Sequence, residues 1–189
     1  MSDKPSYLGL LNAIANGESQ AECYLDAWAQ TTPDDGVRQV ISTVALREGE
    51  HGKAFAKRLC ELGYTVLPRE DPKFDEKMTI AGDKHLTDRE KFEKLGFSPA
   101  ERSEPAGPDF FSRMFEDKSI DIQTGALLGR YIAEERDSGR LLSSCYRQLC
   151  AAEDGPSVTN GDGGDLSAQL GRIEDLLEKL VGKKARATR

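Results

Sequence analysis

VRQVISTVALREGEHGKAFAKRLCEL, residues 37–62, decides how the rest of the chain is read. Val37, Ile41, Val44, Phe55, Leu59 and Leu62 recur at steps of three and four, as on one apolar face of a helix. Glu48 and His51 fall on that face and project side by side, while Glu50 falls off it. A carboxylate and an imidazole inside an apolar stripe are costly unless something pairs with them. In helical bundles that partner is often a metal ion held between facing helices.

Outward from this segment the pattern predicts four helices and no strand of useful length, hence an all-α fold. The first helix covers residues 7–30, with Leu8, Leu11, Ala15, Leu25 and Trp28 on one side. The second opens at Thr32-Pro33-Asp34-Asp35, where Thr32 can cap, Pro33 suits the first helical position and Asp35 stands in the place of a capping-box acid. It closes at Gly63. The third covers residues 119–152, with Ile120, Leu128, Ile132, Leu142 and Leu149 apolar. The fourth covers 165–182, where Leu166, Leu170, Ile173, Leu177 and Leu180 keep near-heptad spacing.

Two stretches interrupt the helices, and the whole of 1–189 is read as one domain. Residues 64–117 form a polar, proline-bearing, mostly irregular insertion between helices two and three. One short helix is expected in it, from the capping box at Thr87–Glu90 to the glycine stop at Gly96. A second capping box opens at Ser98, and Phe110, Phe111 and Phe115 are expected to anchor the end of the insertion. Residues 154–164 are rich in glycine and read as a flexible loop.

Glu18 lies on the apolar stripe of the first helix, and Glu22 follows one turn later. In an antiparallel hairpin turning at residues 31–33, Glu18 and Glu48 stand at about the same height, some thirteen residues before the turn and fifteen after it. Helix three repeats the pattern of helix one. With Leu127-Leu128 laid over Leu10-Leu11, Glu135 falls on Glu18, with Glu134 on the neighbouring stripe and Asp137 close by. Carboxylates hold hard cations, and an imidazole added to them suits iron, manganese or zinc. Glu18, Glu48, His51 and Glu135 are therefore the expected metal ligands, with Glu22 and Glu134 as further candidates. The alternative for Glu22 and Glu134 is a solvated position or an interhelical salt bridge, with Arg130 or Arg136 as the natural partner. The alternative for Glu48 and His51 is a buried hydrogen-bonded pair in a bundle without metal.

These residues resemble a known family. ANGESQAE (residues 15–22), the E-x-x-H of Glu48 and His51, and AKRL (residues 56–59) are similar to the rubrerythrin branch of the ferritin-like superfamily. The likeness covers the first hairpin, about a third of the chain, and helix three loosely. It implies a ferritin-like four-helix bundle and a di-iron centre that reacts with peroxide or dioxygen, held by Glu18, Glu48, His51 and Glu135. The chain departs from that pattern on its last helix. Glu174-Asp175-Leu176-Leu177 replaces a second E-x-x-H, so the remaining ligands are absent or come from elsewhere, such as His85, Glu90 or a second subunit. No rubredoxin-like domain or Cys-x-x-Cys is encoded, so the residues do not name an electron donor.

A formal net charge of -7 argues against a nucleic-acid footprint over the fold. The sequence has no apolar run long enough for a bilayer and no signal-peptide core at its start, which predicts no membrane partner and a cytoplasmic location. Cys23, Cys60, Cys145 and Cys150 are expected as reduced thiols in or near the core. The expected activity is iron or manganese redox chemistry, either oxidation of ferrous ion or reduction of peroxide. The alternatives are a metal-free interaction module that uses residues 64–117 and the last helix, and a di-iron hydroxylase of an organic substrate with the insertion as lid. A homodimer would complete a half-site by bringing a second Glu48–His51 pair across a two-fold axis.

Overall fold

In a computed structural model, residues 4–69, 71–99 and 116–153 are described. They form five α-helices and no strand: α1 (Leu8–Thr31), α2 (Asp35–Glu61), α3 (Phe74–Gly82), α4 (Asp88–Lys94) and α5 (Ile122–Glu153). The loop expected over 154–164, the helix over 165–182 and the three anchoring phenylalanines lie outside the described residues.

α1 and α2 form the expected antiparallel hairpin, and the cap of α2 differs from the sequence reading. Asp34 is the N-cap, its carboxylate accepting from the Val37 N–H at 2.9 Å. Thr32 is held elsewhere, its hydroxyl donating to Asp88 at 2.6 Å. α2 stops as expected, with Gly63 at φ +84°, a conformation that costs glycine little. Leu11, Ala15, Leu25 and Trp28 of α1 meet Val37, Ile41, Val44, Phe55 and Leu59 of α2 in the two apolar clusters that make the core.

The two helices touch most closely at Gly49 and Gly52. A Cβ on Gly52 would stand 2.5 Å from Ser19 Oγ and 3.1 Å from the Ser19 backbone nitrogen. That hydroxyl is itself held on the Ala15 carbonyl at 2.8 Å. A Cβ on Gly49 would meet only the end of the Glu22 side chain, at 2.1 Å.

α5 runs parallel to α1 and antiparallel to α2. Tyr7 reaches Asp121 at 2.7 Å and Glu18 reaches Tyr131 at 2.8 Å, while Arg58 meets Asp121 at 2.8 Å and Arg47 meets Asp137 at 2.8 Å. Asp121 caps α5 through the Thr124 N–H. Burial alone would raise its pKa, but hydrogen bonds from Thr124, Tyr7 and Arg58 hold it well below the usual carboxylate range.

The insertion is more ordered than its composition suggests. Its first stretch runs along α1, where Asn12, Asn16 and Gln20, one turn apart, hydrogen-bond the backbone of Leu67 and Arg69 at 2.7–3.1 Å. α3, which the sequence reading lacks, packs on α1. α4 appears where the capping box predicts it, with Thr87 and Glu90 satisfying each other and Gly96 at φ +75°. Asp88 accepts from Trp28 Nε1 at 2.7 Å, and buried Lys91 donates to the Thr31 hydroxyl and the Ala81 carbonyl.

The cysteines are all free, but only Cys145 is buried; Cys23 and Cys60 are exposed, against the expectation of core thiols. Burial pushes the Cys145 thiol up to about 11. Among the described residues no helix is long and apolar enough to cross a membrane.

The glycine geometry separates two substitutions. Gly52→Ala collides with the Ser19 hydroxyl, which is held on the Ala15 carbonyl, and crowds the Ser19 backbone, so it should lower stability by about 1–2 kcal/mol, an overpacking cost larger than the helix propensity gained. Gly49→Ala displaces only a flexible side chain and should be neutral or stabilising by up to ~1 kcal/mol. Urea denaturation of both variants checks this, and equal effects would contradict the packing described.

Candidate metal centre

Three helices each bring a part. α1 supplies Glu18, α2 supplies Glu48 and His51 one turn apart, and α5 supplies Glu135. One ligand atom from each lies within 4.8 Å of all the others. Two ligands on opposite sides of a single ion stand ~4.4 Å apart, so the set needs to contract by a few tenths of an ångström to hold one. Among the described residues this is the one such group. Glu48 and His51 are 7% and 4% exposed, which places the donors inside the bundle.

The donors face one another. Glu18 Oε2, His51 Nδ1 and Glu135 Oε1 are buried and have no hydrogen-bond partner. His51 Nδ1 is 3.4 Å from Glu135 Oε1 and 4.0 Å from Glu18 Oε2, and the nearer contact is too poorly aimed to be a hydrogen bond. The other ring nitrogen is well satisfied. His51 Nε2 pairs with Glu134 Oε2 at 2.8 Å, and Glu134 is held in turn by Arg130 at 3.0 Å. With the proton on Nε2, as this hydrogen bond assigns it, the Nδ1 lone pair points at the two carboxylates.

The electrostatics follow from crowding acids out of water. Burial raises the pKa of Glu48 well above the carboxylate range, and the neighbouring Glu18 and Glu135 raise it further. Glu18 is also raised by burial and by the charge of Glu135, partly offset by the hydrogen bond from Tyr131 and by the nearby His51. Burial alone would lower His51, but its hydrogen bond with Glu134 and the charges of the nearby Glu135 and Glu18 lift it above its usual value. Tyr131 donates to Glu18 Oε1 at 2.8 Å, and burial together with the surrounding carboxylates holds its hydroxyl protonated. Its ring meets His51 and Phe55 edge-on, with centroids 5.0 and 5.3 Å away.

The remaining acids have other employment. Glu22 stays outside the cluster, lying over Gly49 and pairing with Lys53 across the hairpin at 3.3 Å. Glu134 sits behind His51 and pairs with Arg130 one turn away on the same helix, not across helices. Asp137 pairs with Arg47 and Arg140. Glu90 is committed to its capping box and His85 is exposed, so neither joins the cluster.

No family model, curated protein or solved structure matches this chain. The geometry therefore carries the functional reading.

Sequence reasoning missed Tyr131, Gly49 and Gly52. The glycines had a signal: two of them three apart in a helix interior lower helix propensity and mark close approach of another backbone. Tyr131 had none, since an aromatic on an apolar stripe reads as core.

Glu134 fixes the tautomer that turns Nδ1 inward, a role that supporting carboxylates play behind metal-bound imidazoles. Glu134→Ala should weaken manganese(II) binding by about 10–100-fold without changing its stoichiometry. Competition against a chromophoric chelator measures this, and an unchanged affinity would remove Glu134 from the site.

Proposed function

We propose that this chain is a carboxylate–histidine metal protein that binds iron or manganese through Glu18, Glu48, His51 and Glu135, with ferroxidase or peroxidase activity. The observation that carries the reading is the trio of buried, partnerless acceptor atoms aimed at one another. Orphaned polar atoms in an apolar interior cost about 1–3 kcal/mol each. A cation among them removes that cost at once. Three carboxylates and one imidazole are also the hard and borderline donors that iron and manganese take.

A bound ion of this kind would supply Lewis acidity and one-electron chemistry toward dioxygen or peroxide. The chain's own residues do the rest. Phe55 and Leu128 wall the site with apolar surface. Tyr131 holds Glu18 by its second oxygen, which orients the first inward. Glu134 holds the His51 Nε2 proton and leads to Arg130 at the surface.

The donor order, Glu on α1, E-x-x-H on α2 and Glu on α5, supports a ferritin-like reading of the site. The connection differs: α5 starts at the end where α2 finishes, whereas ferritin-like folds carry one long crossover. The likeness is thus strongest in the ligand set. A homodimer remains the simplest source of a second half-site. Four thiols with no disulfide agree with a cytoplasmic setting.

One observation favours a second reading, a metal-free bundle. Burial raises the pKa of both Glu48 and Glu18, so protons relieve part of the crowding without an ion. The two readings separate on one variant. In the first, saturating manganese(II) at about a hundred times Kd raises the melting temperature of the wild type by ~5–10 °C. Glu48→Gln keeps the shape of the site, so it should melt close to the metal-free wild type and show no shift with metal. A wild type that neither binds manganese nor shifts would establish the metal-free bundle.

A further inference from the structure

A groove of about 1110 Å³ lies between α1 and α5, and Glu18, Glu48 and Glu135 line one end of it. Its size is at the upper limit of the ~300–1,000 Å³ typical of small-molecule sites. Peroxide, dioxygen or a metal ion needs far less room.

The walls are of two kinds. Along α5, Arg136, Arg140, Ser143 and Arg147 follow one another at steps of four, three and four, so they share one stripe facing the groove. Opposite them stand Tyr24 and Leu25 of α1, Val44 of α2 and Phe97. Three guanidinium groups on one stripe stand out in a chain of net charge -7. Arg140 has only the exposed Asp137 as a partner, at 3.1 Å, and Arg147 has no ion pair among the described residues. Measured along α5, Arg140 is ~7.5 Å and Arg147 ~18 Å from the Glu135 level.

We infer that this groove takes a long-chain organic carboxylate. The head group pairs with Arg140 and Arg147, whose guanidinium forks match a carboxylate. The chain lies along Tyr24, Leu25, Val44 and Phe97 and ends at the Glu18–Glu48–Glu135 cluster. The groove recognises the anion by itself; that its far end abuts a redox ion rests on the metal reading above. A small inorganic anion would satisfy the arginines and leave the apolar wall bare, so the same stripe distinguishes the two.

Dodecanoate is the probe, titrated calorimetrically into the full chain loaded with cobalt(II), with inorganic phosphate as the competing anion. The visible absorption of the cobalt reports whether the bound chain approaches the metal. The wild type should bind dodecanoate, phosphate should not displace it, and the cobalt spectrum should change as the groove fills. Arg140→Gln combined with Arg147→Gln, both at exposed positions, should weaken dodecanoate at least tenfold and keep the cobalt stoichiometry. Absence of dodecanoate binding, equal binding by the double variant, or displacement by phosphate overturns the inference. Dodecanoate binding that is arginine-dependent in a protein that takes up no cobalt upholds the groove and overturns the metal reading instead.

Discussion

Three carboxylates and an imidazole are buried together in the middle of an apolar bundle, and the surrounding structure is organised around that constraint. Glu48 is buried, Glu18 and Glu135 are half-buried, and each acid is next to another acid. Partners are placed wherever the backbone allows: Tyr131 on Glu18 and Glu134 on His51. What stays uncompensated is confined to three atoms that converge on one point. A cluster left over by chance would scatter its unsatisfied atoms. Convergence of this kind fits strain stored for a ligand.

The packing that achieves this is helix against helix at short range. Gly52 lets α2 lie close against the α1 backbone at Ser19, next to where Glu18 meets the Glu48–His51 pair. At the other end of the hairpin, the insertion closes the bundle. Asp88 ties Trp28 to Thr32, and Lys91 sits over the carbonyl-rich ends of α1 and α3, where positive charge is favoured. These polar ties hold the floor of the α1–α2 pair without entering the cluster.

Much of this was legible in residue spacing. The step of three between Glu48 and His51, the height of Glu18, and the repeat that set Glu135 over Glu18 all depend only on helix geometry, and the four meet in the structure. The capping box of α4 was legible for the same local reason. What escaped the sequence depends on tertiary context. Thr32 could cap α2, but Asp88, distant in sequence, offers its hydroxyl a stronger, charged partner, and the cap passes to Asp34. α3 has only nine residues and one buried side chain, too few to leave a periodic signal. Cys23 and Cys60 sit on helical segments whose outward faces no pattern of one residue type could distinguish.

The most direct test of the account is anomalous X-ray diffraction from crystals grown with ferrous iron or manganese(II), recorded on either side of the metal's absorption edge. The account predicts a peak among Glu18 Oε2, His51 Nδ1 and Glu135 Oε1, with Glu48 turned to it, and no comparable peak at Glu22. Crystals in which those atoms remain close but hold no anomalous scatterer, or hold it elsewhere on the chain, would contradict it.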